Sequence, residues 1–495
     1  MNAIVRDHKT TCPMKGRNGM ALDAQEIDVL VVGAGPAGLT AAATLARYGV
    51  EVQVVERKQR LSAHPRATVV STRSMELLRS WGLEDEIKAR GMPEVEWMAL
   101  VSETLADVEN GELATLGLPT KEQAAVLSPT APLCVPQDQT EAILLGYVRS
   151  LGAEVAFGQE VLRIDVRDEG AEALIRAGHR TRAVSARYVI GADGAHSIVR
   201  SALGIEMTGP GEIDSVAVSV AFSAPLWDRL GERRYGLYPI VRPDISSVFV
   251  PSGTGDDWVF GIGQEFVESL DEPEMTRVIR AAAGMPDLEP RIHQIRTFKF
   301  AAEVAERFRS ERAFLIGDAA HRVTPRGGTG MNSAIADGHD LGWKLGWALN
   351  GWASDDLLDT YEAERRSVVA HNVERSVDER GSYRDPVDEM HVDLGGRIQH
   401  LWVEAEGGRV STLDLVGDGL TLFTGPDAET GEAPASADGS APMTVRPLPA
   451  MTARALGIAP GRSLLVRPSG VPARGRQEVA LAAMHRRLLQ AAAGA

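Results

Sequence analysis

Cysteine is almost absent from this sequence, since Cys12 and Cys134 are the only two in 495 residues. Two cysteines exclude a disulfide framework and a cysteine-rich metal site, and we predict no metal site at all. The sequence also lacks an apolar run near the roughly 18 residues that a membrane-spanning helix needs. Its N-terminal part lacks the apolar core of a signal peptide. We therefore expect a cytoplasmic protein without a membrane partner.

Positive charge is also scarce, because 52 Lys and Arg stand against 68 Asp and Glu and leave a formal net charge of −16. This balance argues against nucleic acid as a partner. The remaining composition, with 44% hydrophobic and 24% charged residues, is typical of a globular protein. A chain of this length holds about two or three domains. Residues 1–25 are polar and irregular, so we predict a disordered tail there, with Met20 as an alternative start.

The most informative stretch begins with a β-branched apolar run, Asp28–Val32, which predicts a buried parallel strand. It ends in Gly33-x-Gly35-x-x-Gly38, and helical composition follows. In such a loop the first glycine makes the tight turn and the second lets a pyrophosphate approach the backbone. The third lets helix and strand pack closely. The helix N-terminus then offers free N–H groups and a partial positive charge to the phosphates.

A second apolar run, Val50–Val55, ends at Glu56, about where an acidic residue accepts the hydroxyls of a ribose. Alone, the glycine pattern would be a weak signal, because glycine turns also occur in ordinary α/β units. Here strand, glycine loop, helix, strand and acid follow in order. The stretch therefore predicts a dinucleotide site.

Two later strands also end in loops that carry chemistry. Arg187–Ile190 precedes Asp193-Gly194, and a strand at Ala313–Gly317 delivers Asp318 at its carboxyl end. Ligands bind at that end in an open α/β sheet. A glycine loop then leads into another predicted helix near Gly330.

Between these motifs the pattern changes to alternating runs such as Val216–Phe222 and Trp258–Ile262, which predict antiparallel strands. We therefore predict a discontinuous dinucleotide-binding domain, residues 26–204 and 296–410, interrupted by a β domain at 205–295. Beyond residue 411, Gly, Ala and Pro become frequent, and we expect a separate C-terminal domain at 411–495.

From Asp28 to Ser376 the sequence resembles the class A flavin-dependent aromatic monooxygenases with the para-hydroxybenzoate hydroxylase fold, aromatic polyketide hydroxylases among them. The resemblance implies an α/β fold with a Rossmann-type FAD-binding domain and an inserted, mostly antiparallel β substrate domain. It also implies a thioredoxin-like C-terminal domain. Since no cysteine lies in that last domain, we expect it to be structural, and a contact in a homodimer is one role for it.

The resemblance further implies which residues hold FAD. Asp193-Gly194 matches a motif that serves both FAD and the pyridine nucleotide, and Asp318 matches an aspartate on the ribityl chain. Arg66 matches an arginine near the phosphates, and Gln137 a glutamine on the ribityl side. The complete predicted set is Gly33, Gly35, Ala37, Gly38, Glu56, Arg57, Arg66, Gln137, Asp193, Gly194, Gly317, Asp318, Pro325, Gly328, Gly330, Met331 and Asn332.

By the same resemblance, FAD would be reduced by NADH or NADPH and reoxidised by O2 through a C4a-hydroperoxyflavin that hydroxylates a phenolic aromatic substrate. Because the sequence contains one Rossmann fingerprint, the nicotinamide cofactor has no binding domain of its own and would bind only transiently. The basic loop Arg57–Arg66 would receive it or hold the pyrophosphate, unless it is a solvated run. Two alternatives stay open: Baeyer–Villiger type oxygen insertion on a polyketide, and an FAD-binding protein without turnover. The Trp-x-Trp-x-Ile-Pro motif of flavin halogenases is absent.

Pro325 and Arg326 are the candidate catalytic residues beside the flavin ring. A guanidinium in a water-poor pocket could stabilise a phenolate or the reduced flavin, and the alternative is a salt bridge at the pocket rim. His321 lies within the third motif, but we expect it to be structural.

The inserted strands suggest the size of the substrate. In Val216–Phe222 and Trp258–Gly263, large residues alternate with Ala, Ser and Gly, so each strand has a large face and a small one. If the large faces form the core, the small faces line a roomy cavity suited to a polycyclic substrate. Otherwise, small residues serve close packing.

Overall fold

The structure is a computed structural model that describes residues 25–62, 67–253, 255–405, 407–428 and 441–473. The predicted tail at residues 1–25 lies almost wholly outside the described residues, and so does Arg66.

The strands, in chain order, are β1 (Gln25–Val32), β2 (Val52–Glu56), β3 (Val69–Val70), β4 (Glu96–Val101), β5 (Glu112–Thr115), β6 (Leu133–Cys134), β7 (Glu154–Phe157), β8 (Gln159–Arg167), β9 (Gly170–Ala177), β10 (Arg180–Gly191), β11 (Met207–Ser223), β12 (Tyr235–Arg242), β13 (Ile245–Pro251), β14 (Asp257–Gly263), β15 (Arg291–Ala305), β16 (Arg309–Ser310), β17 (Ala313–Leu315), β18 (His321–Arg322), β19 (Trp402–Ala405), β20 (Gly408–Ser411), β21 (Leu420–Thr424), β22 (Met443–Pro447) and β23 (Ser463–Val466).

The helices are α1 (Pro36–Arg47), α2 (Thr72–Ser80), α3 (Glu84–Arg90), α4 (Lys121–Leu127), α5 (Gln137–Ser150), α6 (Ile198–Ala202), α7 (Leu226–Leu230), α8 (Glu272–Ala283), α9 (Gly330–Leu349), α10 (Asp356–Val377), α11 (Pro386–Leu394) and α12 (Ala450–Ala455). The predicted helix near Gly330 is α9, and a second long helix, α10, follows it. The chain turns between them at Gly351, where φ is +73°, a value that glycine adopts without strain.

The first sheet has a parallel centre, in the order β16-β17-β10-β1-β2-β7, with β9 and β8 added antiparallel beside β10. Residues Val29–Val32 of β1 are buried on both faces, as expected for a parallel strand covered by helices. Val32 lies beside Gly191 and Val55, and Gly191 lies beside Leu315. The carboxyl ends of β1, β2, β10 and β17 therefore meet at one edge of the sheet.

The second sheet has the order β18-β15-β11-β14-β13-β12-β4-β5 and is antiparallel except between β12 and β4. It extends beyond the predicted range 205–295, because β4 and β5 join it from the first third of the chain. One face packs on α8, whose Met275 and Ile279 share a core with Phe222 and Phe260.

Helix α9 packs closely on α1 because glycines stand where the two helices touch. A Cβ built on Gly338 would lie 2.5 Å from the Ala37 carbonyl oxygen, and Gly342 and Gly346 meet Thr44 and Tyr48 at similar range. Four-residue spacing puts these glycines on one helix face. Side chains there would force the helices apart, and α9 would lose its position relative to β1.

The C-terminal part holds the small sheet β22-β21-β23. Bidentate ion pairs join it to the first domain, Arg47 to Asp418 and Arg467 to Glu364. Its thioredoxin-like assignment stays a prediction.

Among the described helices, none combines the length and apolar character required to span a bilayer. The same described residues contain no cluster of three or more His, Cys, Asp or Glu side chains suited to one metal ion.

Candidate functional site

The first two glycine motifs touch each other at the edge of the parallel sheet. Gly33 has a φ of +109°, and a Cβ there would lie 2.2 Å from the Ala192 carbonyl oxygen. A Cβ on Gly38 would lie 2.0 Å from the Gly33 carbonyl oxygen. By contrast, the Cβ position of Gly35 has no atom within 4 Å. This difference fits the predicted roles, because Gly35 leaves open space where a pyrophosphate would approach.

Glu56, at the end of β2, is oriented by two backbone donors. Its Oε2 accepts from the Ala34 N–H at 3.0 Å, and its Oε1 accepts from the Lys58 N–H at 3.0 Å. An ionised carboxylate has about four acceptor positions, so both oxygens can still accept ribose hydroxyls. The neighbouring Arg57 is exposed.

Asp193 follows β10 and caps the short helix α6. Its Oδ2 accepts from the N–H groups of Ile198 at 2.7 Å and Val199 at 3.2 Å. Its Oδ1 is buried without a hydrogen-bond partner among the described residues. Burial raises the pKa of Asp193, although these hydrogen bonds oppose the shift. With Gly194 at a φ of +82°, the chain turns here beside Gly33, and the unpartnered oxygen fits a site completed by a polar ligand.

The third motif meets the first through Gly317. A Cβ on Gly317 would lie 3.0 Å from the Ala37 Cβ. Asp318 comes next, is exposed, and makes no hydrogen bond or ion pair with another described residue. A carboxylate at the carboxyl end of β17 is therefore available to a ligand, as predicted for a ribityl hydroxyl.

The loop Pro325–Gly328, called here the flavin-side loop, precedes α9. It closes on itself through the Gly328 N–H and the Pro325 carbonyl at 3.1 Å, and α9 then begins at Gly330. The first N–H groups of a helix have no intrahelical acceptor. The structure thus confirms a helix N-terminus after this loop, and its contact with the flavin stays a prediction.

The side chains of two residues at the start of α9 contact other parts of the protein. Met331 is buried in the main core. Asn332 accepts from the Ser71 N–H at 2.8 Å and donates to the carbonyls of Val69 and Gly328 at 3.2 and 3.1 Å. The amide of Asn332 therefore bonds protein groups, and only its backbone is left for a cofactor.

Gln137 begins α5 and donates to Glu141 at 2.7 Å, while its backbone N–H donates to the Ala67 carbonyl at 2.8 Å. Its predicted ribityl contact stays a prediction.

His321 has the structural role that was expected. Its Nε2 lies 2.6 Å from Asp337 Oδ2, and Arg365 Nε lies 2.7 Å from Asp337 Oδ1. The Gly317 N–H also donates to Asp337 at 3.0 Å. This buried cluster joins the third motif to α9 and α10. Sequence reasoning missed Asp337 and Arg365, because their partners are far away along the chain.

Arg326 is exposed and lies at the C-terminal end of α10. Its Nη1 donates to the Val377 carbonyl at 3.4 Å, and its backbone N–H donates to Thr324 Oγ1 at 3.3 Å. A cation at a helix C-terminus is favourable. This placement favours the rim over a water-poor pocket, and a catalytic role for Pro325 or Arg326 stays a prediction.

Arg326→Met is therefore expected to retain FAD and to keep substrate-stimulated flavin reduction and hydroxylation close to wild type. The loss in stability should be about 0.3–1 kcal/mol, typical of a cation near a helix end. Stopped-flow reduction and product formation test this. A variant that binds FAD normally but reduces or hydroxylates slowly would instead support the catalytic role.

A cavity of about 600 Å³ lies elsewhere, between α2, α9, α10, α11 and the residues after β23. None of the predicted cofactor residues lines it. The predicted cofactor residues converge at the sheet edge and not at this cavity.

The profile of the FAD binding domain family matches residues 26–376. The chain belongs to this FAD-binding family. Over 483 residues it is 34% identical to a tetracenomycin A2 monooxygenase-dioxygenase of Streptomyces glaucescens, with 84% of this chain and 85% of the relative covered. It is 32% identical to an aklavinone 12-hydroxylase of Streptomyces peucetius, with 84% and 95% covered.

Solved structures agree. A ternary complex of aklavinone-11 hydroxylase with FAD and aklavinone superposes with a TM-score of 0.83 at 30% identity, over 96% of this chain and all of that one. These likenesses confirm the predicted fold class, FAD as the cofactor with NAD(P)H as its reductant, and the enzyme class, an FAD-dependent monooxygenase. The contacts of individual residues with FAD stay predictions.

Proposed function

We propose that this protein hydroxylates a polycyclic phenolic compound of polyketide type. The balanced reaction consumes the aromatic compound, NAD(P)H, a proton and O2, and yields the phenol, NAD(P)⁺ and water. The observation that carries the substrate class is the open, small-residue face of the second sheet. Two relatives are named as enzymes that act on tetracenomycin and aklavinone, and these names support the same class of substrate.

The two faces of that sheet differ as predicted. Cross-strand pairs such as Val220–Phe260 and Phe222–Trp258 are buried in the core, which confirms that the large residues form it. On the other face Ala217 lies beside Gly263, and Ala221 lies beside Val259. These last four residues are partly exposed, so this face has room for a ligand.

The flavin-side loop adjoins this sheet. A Cβ on Gly328 would lie 3.5 Å from the Trp97 ring and 3.3 Å from Val69 Cγ1. Trp97 belongs to β4, which pairs with β12 in the second sheet. A flavin ring beside the loop would therefore lie near one end of the sheet.

The residues of the chain have definable duties in this reaction. FAD supplies the redox chemistry when it is bound. Gly35 and the N-terminus of α1 would hold the phosphates, and Glu56 and Asp318 would accept hydroxyl groups. The N-terminus of α9 favours negative charge on the ring, because a helix N-terminus carries roughly half a positive charge.

Substrate size tests the proposal. We expect a tricyclic phenol to stimulate NAD(P)H oxidation more than a monocyclic phenol, and Ala221→Phe to suppress the tricyclic response, because its ring would fill the open face. Thr297→Phe is the matched control, since Thr297 is exposed but shares the face of Val218. The measurement is NAD(P)H consumption with product mass and NMR.

Several results would contradict this proposal. The pocket argument is wrong if the monocyclic phenol is the better substrate and Ala221→Phe leaves it untouched. An ester or lactone product would indicate Baeyer–Villiger insertion. No stimulation by any phenol would favour an FAD-binding protein without turnover.

A further inference from the structure

Arg375, near the end of α10, is a buried cation at the meeting point of three segments. It is 2% exposed. Its Nε donates to the Gly381 carbonyl at 2.8 Å, its Nη2 to the Leu116 carbonyl at 3.3 Å, and its Nη1 to Glu389 Oε2 at 3.0 Å. One guanidinium thus uses all three nitrogens on different segments, in the fixed planar geometry of its donors.

The segment of Leu116 and, in addition, the flavin-side loop approach the guanidinium through glycine. A Cβ on Gly327 would lie 2.6 Å from Arg375 Nε, and a Cβ on Gly117 would lie 2.0 Å from Nη2. Both glycines have positive φ values, +84° and +68°. Gly327 belongs to the flavin-side loop. Gly117 follows Leu116, which lies in the core of the substrate sheet just after β5.

The flavin-side loop has further attachments beside Arg375. Thr324 Oγ1 donates to the Ser376 carbonyl at 2.6 Å, and the Gly327 N–H donates to Ser382 Oγ at 3.3 Å. The loop therefore rests on the last turn of α10 and on the turn after it. The Arg375 guanidinium packs against Gly327 and donates to the Leu116 carbonyl, so it links this support to the substrate domain.

We propose that Arg375 is a positioning residue for the hydroxylation, which sets the gap between the flavin-side loop and the substrate domain. This inference rests on the proposed function, because it assigns the loop to the flavin ring. Without Arg375 the gap widens and water enters. Electrons from NAD(P)H then reduce O2 to H2O2, with NAD(P)H, a proton and O2 giving NAD(P)⁺ and H2O2, and no oxygen is transferred to the substrate.

The test compares Arg375→Met and Arg375→Lys with Arg467→Met. Arg467 is also buried, at 6% exposed, and pairs with Glu364 at 2.7 Å, but it belongs to the C-terminal part and joins it to α10, with no hydrogen bond to the flavin-side loop among the described residues. All proteins are loaded with FAD. Flavin fluorescence, visible absorbance and H2O2 formed with NADPH alone are measured first, followed by H2O2 per NADPH with a tricyclic phenol.

We expect Arg375→Met to raise the flavin fluorescence and, with phenol, to raise H2O2 per NADPH several-fold. Arg375→Lys should restore part of the coupling through Glu389, and Arg467→Met should lose stability but keep wild-type coupling. The proposal is overturned if Arg375→Met, carrying a full complement of FAD, matches wild type in both readouts, or if Arg467→Met uncouples equally.

If Arg375→Met does not fold, Gly117→Ala is the variant that tests the role of Arg375. It displaces the guanidinium from the substrate-domain side while leaving Glu389 paired, so it should shift the flavin signals in the same direction. Unchanged flavin signals in Gly117→Ala would contradict the role of Arg375. If no phenol stimulates turnover, the proposed function fails, yet the substrate-free flavin signals still decide for or against Arg375.

Discussion

Asp318→Ala is expected to bind FAD more weakly by about 1.5–3 kcal/mol, the contribution of a hydrogen bond to a charged group. That is roughly a tenfold to hundredfold rise in Kd. The carboxylate lies at the carboxyl end of β17, is exposed, and makes no bond to another described residue. Replacing it therefore breaks no internal contact, and the loss reports on the ligand alone. Titration of apoprotein with FAD, followed by flavin fluorescence, measures it.

Asp287→Ala serves as the control, because Asp287 is also exposed and lies after α8, in the substrate domain. It should keep the wild-type Kd for FAD. If Asp318→Ala also keeps it, Asp318 is not part of the cofactor site, and the role transferred from the family is wrong at this position.

Asp337→Asn is expected to destabilise the protein by about 3–5 kcal/mol, because removal of one partner leaves a buried charge without compensation. Asp337 is fully buried between His321 and Arg365. Asparagine has nearly the same shape, so a cavity does not account for the loss. Asp418→Asn is the control: Asp418 pairs with Arg47 but is 52% exposed, and its loss should cost about 1 kcal/mol or less. Urea unfolding of both variants measures the difference.

The ion pairs of Asp337 with His321 and Arg365 also make the stability of the protein depend on pH, with a known sign. Burial opposes ionisation of Asp337, but His321 and Arg365 outweigh it and lower the pKa of Asp337 from 3.8 to about 2. Because the folded pKa is the lower one, the stabilisation is present above about pH 4 and is lost as the pH falls toward 2. The free energy gap between wild type and Asp337→Asn should therefore shrink in that window. A gap that stays constant from pH 5 to about pH 2 would contradict the assignment.

Local motifs were predictable because their physics is local. A tight turn at Gly33 needs a positive φ, and close approach at Gly38 excludes a side chain. Both requirements are met by glycine, so both positions could be recognised in the sequence. Alternation along β11 and β14 likewise separated the buried face from the open one. The order of strands, loops and helices then placed Glu56, Asp193 and Asp318 at one sheet edge, because parallel strands carry their ends to the same side.

Partnerships between distant side chains were not predictable in this way. Asn332 was expected at the cofactor, but its amide bonds Ser71, 261 residues away in the chain. No period or motif in the sequence relates such positions, since only the packing of α9 against the start of α2 brings them together.

What the sequence by itself determined is the dinucleotide fingerprint, the fold class and the two-faced strands, since each depends on residues within one or two elements. Only the tertiary structure decided that Arg326 lies at a helix end, that Asp337 stabilises the third motif, and that Arg375 joins the flavin-side loop to the substrate domain. Such contacts depend on the distances between elements, and these distances are set by how the whole core packs.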